Sequence, residues 1–294
     1  METAKSSEVT LVIVNYNTRE DLRRCLESIY HSPPSFAFST IVVDNHSTDG
    51  SVEMLKTSFP QVYLIENETN RGLVQAYNQA FLLINTPYIV LLDSDTIVEP
   101  GALDKLYSFS LAHPDVGIVA PRLLNADGSI QQTARNLPSP INALFGRQTL
   151  LTRLFPQNPW SAHYLRAQDL VLEEPFSVEW ISFACAMFKA DLLQRVGFFD
   201  EDYFIYWIDA DWCKRVNEHG SKIVCLPEAR VTHIEKNQRG KKRRPRSIID
   251  FHRGSYLFYR KHYAASPWRP MAWVAFVGLS VRASLLLVIN YFRH

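Results

Sequence analysis

Residues 88–103, YIVLLDSDTIVEPGAL, open on an apolar run, Tyr88 to Leu92, that stops at two carboxylates one residue apart, Asp93 and Asp95. A short continuous apolar run bounded by polar residues is the mark of a strand buried on both faces, as in parallel sheets. The same pattern precedes it three times. Val9 to Val14 runs into Asn15, Tyr16 and Asn17; Thr40 to Val43 runs into the polar stretch Asp44 to Gly50; Val62 to Glu66 runs into Asn67 to Gly72. Helical segments fall between them: Thr18 as cap of a helix through Tyr30 with Leu22, Leu26 and Ile29 on one face, Ser51 to Ser58, and Leu73 to Leu83. Strand and helix alternating with short polar loops predict an open, mostly parallel α/β sheet with helices on both faces. Such sheets bind ligands at the carboxyl ends of their strands, where these polar clusters lie.

Beyond Pro100 the pattern loosens. It predicts a helix over Ala102 to His113, a strand over Gly117 to Pro121, a strand over Val178 to Lys189, a short helix over Asp191 to Arg195, and a helix over Ala210 to His219 ended by Gly220. The stretch Asn125 to Glu174, with Pro138, Pro140, Pro156 and Pro159, reads as an irregular excursion of the kind that faces a substrate. This divides the chain into a first half, 1–115, a second half, 116–235, and a tail, 236–294.

Composition fits a globular protein: 294 residues, 47% apolar and 21% charged. Eleven Gly exclude a collagen-like repeat, and four Cys without CxxC spacing exclude a disulfide-stapled miniprotein and fit a reducing compartment. Met1 to Glu8 has no basic or apolar leader pattern, so a cytoplasmic location is expected. The net charge of +1 conceals an asymmetry: residues 230–294 hold 14 Lys and Arg against 2 acids. An acidic body with a basic tail predicts a tail that faces a polyanionic surface.

Four groups of residues carry candidate chemistry. Asp93 and Asp95 form a compact oxygen pair for a hard divalent cation, or else a strand-end turn with a helix cap. Asp44, Ser47 and Asp49 can receive a nucleoside's N–H and hydroxyl groups, or form an Asx turn and cap. Asp209 and Asp211 stand i, i+2 at a helix start beside Tyr203, Phe204, Tyr206 and Trp207. There an apolar wall raises one carboxylate toward the range of a general base, and the other caps the helix or holds a basic partner. Two ordinary helix-start acids are the bland alternative. His233 can complete the shell that Asp93 and Asp95 begin, or be an ordinary polar residue.

Taken in order, the segments VTLVIVNYNTREDLRRCLESI, IVVDNHSTDGS, NETNRGLVQAYNQA, YIVLLDSDTIVEPGAL, FACAMFKADLLQRVGFFDEDYFIYWIDADWCKRVNEHG and VTHIEK resemble family 2 glycosyltransferases of the GT-A fold, in particular the bacterial rhamnosyltransferase-like branch. The resemblance runs from Val9 to about His262. It implies that Asn15, Asn17, Asp44, Ser47, Arg71, Gly72, Asn78 and Asp93 surround a nucleotide-diphosphate sugar. It implies that Asp93, Asp95 and His233 hold Mg or Mn, that Asp209 is the base, and that Asp211 and Trp207 support the acceptor side. It further implies an inverting displacement, a lipid-linked or growing surface glycan as acceptor, and dTDP-rhamnose as donor with UDP-sugars open. The family often has Glu-Asp where this chain has Ile208-Asp209, which puts the acceptor's identity in question more than the activity.

The tail carries a cationic run, Arg239, Lys241, Lys242, Arg243, Arg244 and Arg246, and a helix over Ser247 to Tyr263. The run is either solvated or turned toward a diphosphate. No groove-reading motif supports nucleic acid as a partner. Met271 to Phe292 approaches the length of a bilayer span, but Arg282 in its middle costs about 2.5–3.5 kcal/mol there. An interfacial helix, peripheral on the inner membrane face, is therefore expected. Packing on the protein or on a second copy, a homodimer, is the alternative. A sugar-phosphate nucleotidyltransferase is the rival enzyme, but Val14 to Arg19 lacks its Gly-rich triphosphate loop. A catalytically inactive membrane- or polyanion-binding module is the rival outside enzymes, opposed by the intact acids Asp93, Asp95 and Asp209.

Overall fold

The computed structural model describes residues 7–138, 172–234, 244–264 and 270–292. The basic run therefore lies outside the described residues except for Arg244 and Arg246, as does the excursion from 139 to 171. The apolar runs become β1 (Val9–Asn15), β2 (Phe38–Asp44), β3 (Tyr63–Glu66) and β4 (Tyr88–Asp93), with α1 (Arg19–Tyr30), α2 (Ser51–Ser58) and α3 (Leu73–Phe81) between them. These are followed by β5 (Thr96–Val98), α4 (Ala102–Ala112), β6 (Val116–Leu124), β7 (Phe176–Val178), β8 (Cys185–Lys189), α5 (Leu192–Arg195), α6 (Ile208–Glu218), β9 (Lys222–His233), α7 (Pro245–Tyr263) and α8 (Pro270–Tyr291).

The strands form one nine-stranded sheet in the order β3-β2-β1-β4-β8-β6-β9-β5, with β7 on β9. The pairs β1–β2, β2–β3 and β1–β4 are parallel, whereas β8 is antiparallel to both β4 and β6. The expected halves 1–115 and 116–235 thus share one sheet. Side chains alternate across it: Leu11 and Ile13 enter the core beneath α1, α2 and α4, while Val12 enters the core beneath α3 and α6. Helices cover both faces for that reason.

Two features differ from the expectation. The single strand Val178 to Lys189 is two, because Phe176–Val178 pairs with β9 while Cys185–Lys189 pairs with β4 and β6, and the chain turns between them. The short β5 pairs antiparallel with β9, Thr96 opposite His233. The register shift against β6 between Pro121 and Arg122 leaves residues 227–229 of β9 as a bulge containing Pro227, and beyond it β9 stays paired with β6 while β5 joins its other edge.

Gly72 joins the two sides of the sheet's carboxyl edge. Its φ of +85° with ψ of 169° is open to glycine alone, and a Cβ there would stand 2.6 Å from the Phe204 ring. Leu73 N–H donates to the Phe204 carbonyl at 2.8 Å, which fixes this close approach. Gly72→Ala is expected to cost about 1–3 kcal/mol in backbone strain and a similar amount in overpacking, read by urea denaturation. Gly128→Ala, at φ +81° with nothing within 4 Å of a Cβ, is expected to show the backbone cost alone.

Candidate active site

Parallel register aligns the ends of the central strands: Asn15 lies opposite Asp44, Asp44 opposite Glu66, and Val14 opposite Asp93. The polar residues that terminate these strands therefore share one edge. Asn15 Nδ2 donates to Asp44 Oδ2 at 2.7 Å and to Ser47 Oγ at 3.0 Å, and Ser47 N–H donates to Asp44 Oδ1 at 2.8 Å. Asn17 enters the same network, its N–H donating to Ser47 Oγ and its Oδ1 accepting from Thr48 N–H. Asp44 is buried and rigid, with one partner on each oxygen and a further lone pair on each.

Thr18 stands at the cap position of α1, but its hydroxyl does not cap the helix. It donates to Asn15 Oδ1 at 2.6 Å and lies 2.7 Å from Ser94 Oγ, so it connects the β1 loop to the DSD segment. The helix start is satisfied instead by Asp49, whose Oδ2 accepts from Arg19 N–H at 2.8 Å. Arg71 is exposed, with its N–H on Asn45 Oδ1, and Asn45 also donates to the Gly72 carbonyl. Asn78, expected to help shape the pocket, faces the 199–201 loop. Its amide donates to the Phe199 carbonyl and Glu201 Oε1 and accepts from Phe199 N–H, so it shapes the cleft by holding the 199–201 loop.

Asp93, Asp95 and His233 meet, offering one ligand atom each within 4.8 Å of one another. His233 Nε2 lies 3.3 Å from Asp95 Oδ1 and 3.8 Å from Asp93 Oδ2. The meeting follows from the strand pairing: Thr96 faces His233, and Ile234 N–H donates to the Asp95 carbonyl. Burial pushes the Asp93 carboxyl up to about 7; the His233 charge opposes this, while Asp95 and Asp209 add to it. Two oxygen ligands and one imidazole, with negative charge crowded enough to hold a proton, fit a divalent cation that would relieve the repulsion.

Asp209 occupies the first turn of α6 and is partly buried. Burial raises its proton affinity, opposed by the Ala210 N–H on Oδ1 at 2.8 Å, by the Trp180 indole that faces it and by the Arg135 guanidinium. Trp180 and Arg135 bear no motif in the sequence. They are brought together by an isolated backbone bridge, and the guanidinium lies 5.1 Å from the indole centroid. Trp207 precedes the helix in a left-handed conformation, φ 76°. Its indole N–H donates to the Phe251 carbonyl and its ring packs against Phe251 and Phe258 of α7.

Asp211 is buried and holds basic partners, one of the roles that its place at the helix start allows. Its side chain is 1% exposed and receives Arg215 Nε at 3.0 Å, His262 Nε2 at 2.7 Å and Lys261 Nζ at 3.1 Å. Burial alone would raise its pKa, but these partners together hold it below the ordinary value. The i, i+2 spacing sends Asp209 toward the cleft and Asp211 toward α7.

Comparison with known proteins gives four findings. A family model described as glycosyl transferase family 2 matches residues 10–197. An N-acetylglucosaminyl-diphospho-decaprenol L-rhamnosyltransferase of Mycobacterium tuberculosis is 28% identical over 290 residues, spanning 94% of this chain and 92% of its own length. A poly(ribitol-phosphate) beta-glucosyltransferase of Bacillus spizizenii is 25% identical over 227 residues, 75% of this chain and 34% of its own. The crystal structure of S. aureus TarS superposes with a TM-score of 0.57 at 16% identity, covering 86% of this chain and 39% of that one, and the sheet is that of the GT-A fold.

The two helix-start acids differ in energetic sign. Asp211→Asn is expected to cost about 3–5 kcal/mol at neutral pH by leaving buried cations without their partner. Because the native pKa of Asp211 is lowered, its contribution is complete above the ordinary carboxylate range and lost as pH falls through the native value. Asp209→Asn removes a carboxylate whose ionised form burial disfavours, so stability is expected to stay level or rise. Urea melts of both variants at pH 7 and pH 4 check the contrast.

Proposed function

The chain belongs to glycosyl transferase family 2, and from that premise we propose that this glycosyltransferase moves a sugar from a nucleoside-diphosphate donor to a lipid-linked or growing glycan acceptor, with inversion at the anomeric carbon. The observation that carries the reading is the convergence of Asp93, Asp95 and His233 at the sheet's carboxyl edge with Asp209 near enough to raise the Asp93 pKa. The donor side is assigned to 1–115, with Asn15, Asn17, Asp44, Ser47, Arg71 and Gly72 around the nucleotide. The acceptor side is assigned to 116–235. The mycobacterial relative's stated activity favours rhamnose as the sugar and a polyprenyl-diphosphate-linked sugar as the acceptor.

In this mechanism the Asp209 carboxylate takes the proton of the acceptor hydroxyl as that oxygen attacks the anomeric carbon. The nucleoside diphosphate departs from the opposite face. Burial raises the proton affinity of Asp209 toward that of a base, and the Arg135 charge and the Trp180 indole oppose the rise. Held by Asp95 and His233 with Asp93 beside them, Mg or Mn would supply charge neutralisation for the departing diphosphate. Trp207 and Asp211 support the base by fixing α6 against α7.

The tail fits peripheral attachment to the cytoplasmic face of a membrane. Helix α8 spans 22 residues and contains an 18-residue window with a mean hydropathy of 2.1. Trp273, Val277, Val281, Leu285 and Val288 are exposed along it, while Ala272 and Asn290 are its buried residues. It packs on α7, with Tyr256 against Phe276, and α7 carries Arg246, Arg253 and Arg260. Basic residues at an anionic surface contribute roughly 1 kcal/mol each.

Asp209→Asn is expected to keep donor binding and lose turnover by at least about 100-fold, the contribution of general base catalysis. Asp95→Ala is expected to weaken both, measured by donor titration and single-turnover transfer. Normal turnover in Asp209→Asn would remove it as the base. The acid limb of kcat is expected above the ordinary Asp value of 3.8, since burial raises the Asp209 pKa. Deleting residues 271–294 is expected to abolish co-sedimentation with anionic vesicles. Unchanged recovery would contradict membrane attachment, and a loss of dimer on deletion would assign the helix to a second copy instead.

A further inference from the structure

The imidazole of His233 is gripped from behind by a residue with no motif of its own. Gln131 Nε2 donates to the His233 backbone carbonyl at 2.9 Å, and its Oε1 lies 3.0 Å from His233 Nδ1. The first bond orients the amide, because the reverse orientation would set Oε1 against a carbonyl oxygen. With Oε1 toward the ring, only an Nδ1–H can complete the second bond, since an amide oxygen has no proton to give. The neutral ring therefore keeps its lone pair on Nε2, the atom 3.3 Å from Asp95 Oδ1 and 3.8 Å from Asp93 Oδ2.

Gln131 is itself well anchored. Its N–H donates to the Leu123 carbonyl at 2.8 Å, its own carbonyl accepts from Thr133 N–H, and Ile130 bridges Leu124 next to it. The stretch therefore turns back antiparallel onto the end of β6, and four residues later Arg135 reaches the Trp180 indole beside Asp209.

We infer that Gln131 is the positioning residue of the candidate metal centre: its amide selects the Nδ1–H tautomer of His233 and so presents Nε2 to a cation. The inference rests on the reading of His233 as a ligand. Outer hydrogen bonds of this kind commonly change metal affinity 10–100-fold.

The test is Mn binding to the full chain, followed by electron paramagnetic resonance, in the wild type, Gln131→Met, Gln131→Glu and His233→Ala. Gln131→Met fills the same space without an acceptor and is expected to weaken binding about 10–100-fold. Gln131→Glu loses the bond to the His233 carbonyl, as Gln131→Met does, but still accepts from Nδ1–H and is expected to bind more tightly than Gln131→Met. His233→Ala is expected to lose at least as much as Gln131→Met. Unchanged Mn binding in His233→Ala would remove His233 from the centre and the inference with it. Weakened binding in His233→Ala but not in Gln131→Met overturns the inference alone, as does equal loss in Gln131→Met and Gln131→Glu. A readout that needs no variant is the long-range proton–nitrogen NMR pattern of His233 in the metal-free protein at a pH where its ring is neutral: a proton on Nδ1 alone supports the inference, and a proton on Nε2 alone overturns it.

Discussion

The antiparallel pairing of β5 with the end of β9, Thr96 against His233, is the constraint on which the cleft depends. It brings a histidine late in the chain to the acids that follow β4. Because side chains alternate along a strand, a one-residue slip would turn His233 to the opposite face. The register is fixed from several directions. Thr96 Oγ1 donates to the Asp93 carbonyl, Val98 N–H donates to Ser28 Oγ of α1, and Ile234 N–H donates to the Asp95 carbonyl. β9 stays paired with β6 on both sides of the bulge at residues 227–229, and past the bulge its other edge passes from β7 to β5.

The other side of the cleft is held by helix packing. α6 begins at Trp207, one of three non-glycine residues with positive φ among those described, the others being Asn17 and His46. Asn17 and His46 stand in the loops after β1 and β2, so the strained backbone gathers around the same edge as the polar clusters. Such strain persists only where the surroundings impose it. At Trp207 the surroundings are α7: Phe251 and Phe258 against the ring, Gly254 leaving room for it, and the Asp211 cluster one turn along. α7 also packs on the apolar α8, so the element that faces a membrane in the proposed function is continuous with the one that seats Asp209.

Much of this was legible in the sequence because its causes are local. Apolar runs such as Val9 to Val14 can only be strands with both faces covered, and the polar residues after them must then share an edge. The periodicity of Leu22, Leu26 and Ile29 needs no partner to be read. What escaped the sequence depends on distant neighbours. β5 is short and exists by virtue of β9; the break between β7 and β8 arises because the two pieces pair with different strands. Gln131 and Arg135 lie in a stretch that looked featureless and gain meaning from His233 and Asp209. The i, i+2 spacing announced that Asp209 and Asp211 would diverge, but only the cations on α6 and α7 decide which of the two turns inward.

The most direct measurement of the central claim is anomalous scattering from a crystal of this protein grown with Mn and a nucleoside diphosphate. The account requires one strong Mn peak within bonding distance of Asp95 and His233 Nε2, with the terminal phosphate beside it and Asp209 across the cleft. A peak elsewhere, or a nucleoside diphosphate bound away from the ends of β1, β2 and β4, would contradict it.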